Sequence, residues 1–129
     1  GNGIAASEQL EIIVSEKVSP AKFVWVHADG EKDHSFHKKL GAAGAWVEFD
    51  HVGPAPEALK WHLECVRFME QNQLLHRTLL SQDAGYYRPG EPNAAFKDYS
   101  HIYTKFVPLL TSTIAKTLLW ENPHAAFGR

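Results

Sequence analysis

Apolar residues recur at two spacings along the chain, and the alternation between them sets the architecture. From Ile4 to Lys17, Ala6, Leu10, Ile13 and Val14 fall at helical intervals, with Glu8, Glu11 and Glu16 between them. Ser19-Pro20 closes that segment, because proline disfavours helical geometry in the residue before it. Phe23-Val24-Trp25-Val26 then runs without polar alternation, as expected for a strand buried on both faces. A second helical pattern spans Lys32 to Ala43, and a second buried run follows, Ala45-Trp46-Val47-Glu48-Phe49. Pro54 and Pro56 stand where helix starts tolerate proline, and Leu59, Leu63, Val66 and Met69 give one apolar face of a helix reaching about Asn72. Thr78-Leu79-Leu80-Ser81 is the third buried run. Beyond it come a long loop around Tyr86 to Pro92, then two helical segments, Asp98–Leu110 and Ser112–Trp120, and a last short turn.

Strands alternating with helices predict βαβ units and a parallel sheet, an α/β fold. With 129 residues the chain fits one domain. A complete (β/α)8 barrel needs roughly 250 residues.

Composition narrows the function classes. Thirteen Lys+Arg against 15 Asp+Glu give a net charge of -2, with no basic run. A nucleic-acid or anionic-membrane surface is not expected from such a balance. No apolar stretch approaches the roughly 20 residues that cross a bilayer. The start, Gly1-Asn2-Gly3, shows no signal peptide, which favours a cytoplasmic location without fixing it. Cys65 is the single cysteine, so an internal disulfide is excluded, and its mid-helix position reads as core packing.

The candidate chemistry lies where the strands end. In parallel α/β folds ligands bind beyond the carboxyl ends of the strands. All three runs carry ionisable groups there: His27 with Asp29, Asp50 with His51, and Asp83. Imidazole nitrogen and carboxylate oxygen suit Zn²⁺ and similar metals, and a carboxylate beside a bound water can take its proton. A lone histidine after a strand is commonly structural, and Asp50 reads first as a cap of its own turn. His34, His37, His62, His76, His101 and His124 read as solvated or locally bonded. Tyr86, Tyr87 and Arg88 either contact a ligand or pack their loop onto the rim. Trp25 and Trp46 read as core, with Trp46 also a candidate for a pocket wall.

The series Phe-Val-Trp-Val-His27-Ala-Asp29, Trp-Val-Glu-Phe-Asp50-His51-Val-Gly, Leu-Leu-Ser-Gln-Asp83-Ala-Gly-Tyr and Leu-Leu-Trp-Glu-Asn122-Pro123-His resembles the phosphotriesterase-like metal-dependent hydrolases of the amidohydrolase superfamily. The resemblance covers nearly the whole chain, but only the C-terminal portion of the family's (β/α)8 TIM barrel. That portion runs from the segment after strand 5 through strand 8 and the closing helices, about three parallel strands with flanking helices in a single partial domain, residues 1–129.

The resemblance implies a divalent metal centre, usually two zinc ions, and a water attacking a phosphoester, lactone or related ester. It implies that His27 and Asp83 are metal ligands and that Asp83 is also catalytic, acting on the bridging hydroxide. His51 would relay the proton, and Asp29 would be the acidic end of that relay. Gly30 stands where another acid can occur. Tyr86, Tyr87, Arg88 and Trp46 would face a small-molecule ester substrate. The family's first-strand His-x-His pair, its metal-bridging lysine and its fifth-strand histidine have no counterpart here. Two protein ligands are fewer than the three that a catalytic zinc site ordinarily uses. The expectation is therefore a chain inactive alone, completed by a missing N-terminal part or by association with copies of itself. The alternative is a non-catalytic half-barrel, an assembly or ligand-binding module without a complete metal site.

Overall fold

The computed structural model describes residues 1–84, 89–90 and 98–128. Helix α1 (Gly3–Ser15) leads through a short turn into strand β1 (Val24–Trp25), then α2 (His34–Ala42), β2 (Trp46–Phe49), α3 (Pro56–Gln71) and β3 (Thr78–Leu80). The three strands form one parallel sheet in the order β1-β2-β3, with Trp25 opposite Val47 and Phe49 opposite Leu80.

Local chemistry explains where the elements begin and end. Asn2 Oδ1 accepts from the Ala5 amide at 3.1 Å and Asp33 Oδ1 from the Ser35 amide at 2.9 Å, capping α1 and α2. Helices α2 and α3 both stop in a left-handed residue, Gly44 at φ 96° and Gln73 at φ 61°. The next amides then bond back, Ala45 to the Leu40 carbonyl at 3.1 Å and Leu74 to the Met69 carbonyl at 2.8 Å. Each stop delivers the chain to its strand at the same end of the sheet. Val47, Phe49, Val52, Cys65, Val66 and Met69 are fully buried in the core between the sheet and its helices, together with Phe106 and Leu118 from the tail.

Two side chains fasten the tail. Gln82 donates to the Tyr99 carbonyl and accepts from the Ile102 amide at 3.0 Å, closing the base of the loop after β3. Asn122, almost fully buried, donates to the carbonyls of Leu75 at 2.7 Å and Thr78 at 2.6 Å. The tail differs from the two separate helices expected of it. A π-helical turn (Ile102–Phe106) runs into a tight turn (Val107–Leu109), followed by α4 (Ser112–Lys116), a second π-turn (Thr117–Glu121) and α5 (Asn122–Phe127). Pro123 therefore does not stop the helix. The wider turn before it shifts the hydrogen-bond register at the residue that lacks an N–H.

Candidate metal centre

The carboxyl ends of β1 and β2, and the stretch after β3, bring His27, Asp29, Asp50, His51 and Asp83 to one rim. Backbone geometry there is unusual. His27 and Asp83 both adopt left-handed conformations, φ 55° and 42°, which non-glycine residues seldom occupy outside functional or constrained sites. The turn at His27 folds Asp29 back under the rim.

The site has two layers. Beneath lie the carboxylates of Asp29 and Asp50, their side chains 7% and 8% exposed. Above them lie the imidazoles of His27 and His51, 51% and 46% exposed, stacked with centroids 4.9 Å apart. Asp50 Oδ2 lies 2.8 Å from His27 Nδ1 and accepts from the His27 amide at 3.1 Å. Asp50 thus holds both ring and backbone of the neighbouring strand's histidine, where a cap of its own turn was expected. A carboxylate at Nδ1 leaves His27 Nε2 as the ring's free lone pair. His51 Nδ1 lies 3.0 Å from Asp29 Oδ2 and 3.0 Å from Asp50 Oδ1. It has one proton to give, and the bond goes to Asp29, so Asp50 Oδ1 remains buried without a hydrogen-bond donor. On its other side, His51 Nε2 lies 4.0 Å from Asp83 Oδ2.

Asp29 is further fixed through its main chain. Trp61 Nε1 donates to its carbonyl at 2.8 Å and Lys32 Nζ at 3.2 Å, while Asp29 Oδ1 accepts from the Asp50 amide at 3.2 Å. Burial by itself raises the Asp29 carboxyl, but the close approach of His62, the Asp50 amide and the electrostatic attraction of the His51 ring outweigh it and hold it well below the usual carboxylate range. Glu48, within β2, is shifted the other way, raised by burial and by the charge of Asp50.

Of the residues expected at the site, His27, Asp29, His51 and Asp83 share this rim. Trp46 does not. It is the first residue of β2, buried, with its indole donating to the Ala21 carbonyl at 3.2 Å and Arg77 lying over the ring. That is the opposite end of the strand from Asp50, because the run enters the sheet at Trp46, so Trp46 packs the core's lower end and does not wall the rim. Tyr86, Tyr87 and Arg88 lie outside the described residues. His37 and His62, expected to be solvated or locally bonded, are buried. His62 does bond locally, to the Ala58 carbonyl at 2.7 Å, and also approaches Asp29 at 3.6 Å from α3, whereas His37 bonds to the Ala28 carbonyl beyond β1 at 2.8 Å. Asp50, named at its strand end but read first as a cap, and His62, not expected at the site at all, find their partners across the sheet or on another element, where no spacing along the chain reports them. Burial pushes the Cys65 thiol up to about 12, which suits packing.

Among the described residues, His27, Asp50 and His51 each place a potential ligand atom within 4.8 Å of the others. That cluster, with Asp50 Oδ1 buried and without a hydrogen-bond partner, fits a cation at this rim. A cavity of about 250 Å³ opens beside it, along the outer edge of β1, lined by Val24, Trp25, His27, Ala5, Ala6 and Gln9.

The Phosphotriesterase family model matches residues 2–127. The chain belongs to the phosphotriesterase family. Solved structures agree in fold. The organophosphorus hydrolase of Deinococcus radiodurans superposes with a TM-score of 0.76 at 24% identity, covering 94% of this chain and 42% of that one. The phosphotriesterase of Mycobacterium tuberculosis gives 0.78 at 23% identity, covering 95% and 41%. A resiniferatoxin-binding protein from Rhodobacter sphaeroides gives 0.77 at 19% identity, covering 95% and 38%. No curated protein sequence matches. The chain thus spans about two fifths of the length of the structures it resembles, and its three parallel strands with flanking helices are part of a (β/α)8 barrel. No helix among the described residues is long and apolar enough to cross a membrane.

Proposed function

We propose that this chain is the C-terminal part of a metal-dependent hydrolase, from the segment after the fifth barrel strand through the eighth, acting on a phosphoester, lactone or related ester. The observation that carries the reading is the line Asp29–His51–Asp83, with contacts of 3.0 Å and 4.0 Å on the two ring nitrogens of His51.

His27 through Nε2 and Asp83 through its carboxylate would hold a divalent metal, zinc by its preference for this donor set. When bound, such a metal lowers the pKa of a coordinated water and polarises the ester oxygen. The chain's own residues do the rest. Asp83 accepts the proton of the attacking water. His51 Nε2, unprotonated because the ring's hydrogen is given to Asp29, takes that proton from Asp83. Asp29 steadies the Nδ1–H of the doubly protonated ring, taking that proton and returning it as Nε2 releases its own to solvent, and the ring regains its starting tautomer. Asp50 keeps His27 oriented throughout. The loop with Tyr86, Tyr87 and Arg88 would supply the substrate wall.

Two protein ligands leave the metal shell incomplete, and β1 and β3 each have one unpaired edge among the described strands. The remaining ligands and strands would come from an N-terminal part of the barrel or from a second copy. Without them the chain is inactive by this reading. The test is metal content and ester hydrolysis of the assembled protein. Asp83→Ala should lose both, and retention of both would leave the non-catalytic half-barrel as the better account. Zinc should also raise the melting temperature, since a ligand bound only to the native state stabilises it.

A further inference from the structure

His62 lies on the face of α3 directed at the sheet, 2% exposed, with Phe106 edge-on to its ring at 6.4 Å. Its Nδ1 is 2.7 Å from the Ala58 carbonyl one helical turn back. A carbonyl oxygen only accepts, so Nδ1 carries a hydrogen. The other nitrogen, Nε2, is buried, has no hydrogen-bond partner among the described residues, and faces Asp29 Oδ2 at 3.6 Å. If Nε2 were bare, a lone pair would meet a carboxylate oxygen where water does not reach, leaving a buried charge uncompensated on that side. With a hydrogen on Nε2 the same contact becomes a charge-assisted bond that closes by a few tenths of an ångström. Asp29 is the charged group facing that nitrogen. Cys65, one turn along α3, is held as the neutral thiol, and Lys32 is engaged on the Asp29 main chain instead.

We propose that His62 is a positioning residue, an imidazolium that donates from Nδ1 to Ala58 and from Nε2 to the rear of Asp29, holding that carboxylate in the orientation that receives His51. The inference rests on the reading of Asp29–His51–Asp83 as a proton path and adds a fourth group behind it. His62 touches neither substrate nor metal. It acts by fixing which nitrogen of His51 bears the hydrogen, and so which one stays open toward Asp83.

The experiment is long-range ¹⁵N–¹H NMR of the histidine rings in the protein near neutral pH, without metal or substrate. The expected spectrum shows both His62 nitrogens protonated and His51 protonated at Nδ1. In Asp29→Asn, His62 should revert to a neutral ring with its hydrogen on Nδ1 alone. In His62→Leu, His51 should lose its single tautomer and show a mixture. His62→Gln, which retains an N–H donor, should restore it, which a purely structural role for the ring would not produce. A bare Nε2 on His62 in the unmodified protein needs no variant to fold and would overturn the proposal. So would a His51 tautomer indifferent to His62→Leu. Failure of the hydrolase reading registers elsewhere, as ester hydrolysis surviving Asp83→Ala, with these spectra unaffected.

Discussion

Two histidine pairs lie within a short distance along the chain and have opposite characters. On the rim, His27 and His51 stack at 4.9 Å, each with Nδ1 against a buried carboxylate and Nε2 toward the opening. Between α2 and α3, His34 and His37 lie 5.1 Å apart, and their Nδ1 atoms approach to 2.9 Å. His37 Nε2 gives its hydrogen to the Ala28 carbonyl, so its Nδ1 must accept from His34. Trp61 and Phe68 stack on His34, and Glu64 is 3.6 Å from its Nε2. Burial lowers the pKa of His37. The pair between α2 and α3 therefore uses three of its four nitrogens on each other and on a backbone carbonyl and buries the fourth, His34 Nε2, without a hydrogen-bond partner among the described residues, while the rim pair turns one nitrogen per ring toward the opening. What a histidine can do is decided by the partner on its second nitrogen more than by the ring's exposure.

The contrast can be broken most directly at Asp50. Asp50→Ala removes the carboxylate that orients His27, and zinc affinity of the assembled protein should fall about 10- to 100-fold. His34→Ala should leave it unchanged. Calorimetric titration reads both, and equal losses would erase the distinction between the pairs. A smaller effect is expected at His37. His37→Leu leaves the Ala28 carbonyl without its donor and should cost roughly 1–3 kcal/mol in urea unfolding, without a change in the tautomer of His51. The smallest effect is in pH dependence. A histidine held below its ordinary value of about 6.5 binds fewer protons folded than unfolded. Stability should therefore decline as pH falls through that ordinary value toward the folded one, and level off below it. His37→Leu should flatten that decline. Loss from Asp29, whose shift is also downward, begins only at more acid pH, near the ordinary carboxylate range.

Much of the scaffold could be read from spacing alone. The apolar stripe Leu59, Leu63, Val66, Met69 identified α3, and three unalternating runs identified the strands, because burial on both faces leaves a mark in consecutive residues. The strand ends located the rim. What could not be read was relation across elements. Asp50 reaches His27 because β1 and β2 pair in a particular register, and His62 reaches Asp29 because α3 packs over that pair. Trp46 was misplaced for the same reason, since which end of a strand meets solvent depends on how the chain enters it.

Strand β1 is only two residues long and hydrogen-bonded on one side, yet it ends two residues before His27. Any strand that docked along its vacant flank would stiffen the very backbone on which that imidazole is mounted. If the rim holds the metal proposed for it, closing the barrel and gripping that cation are one coupled equilibrium, and by reciprocity each strengthens the other by the same factor.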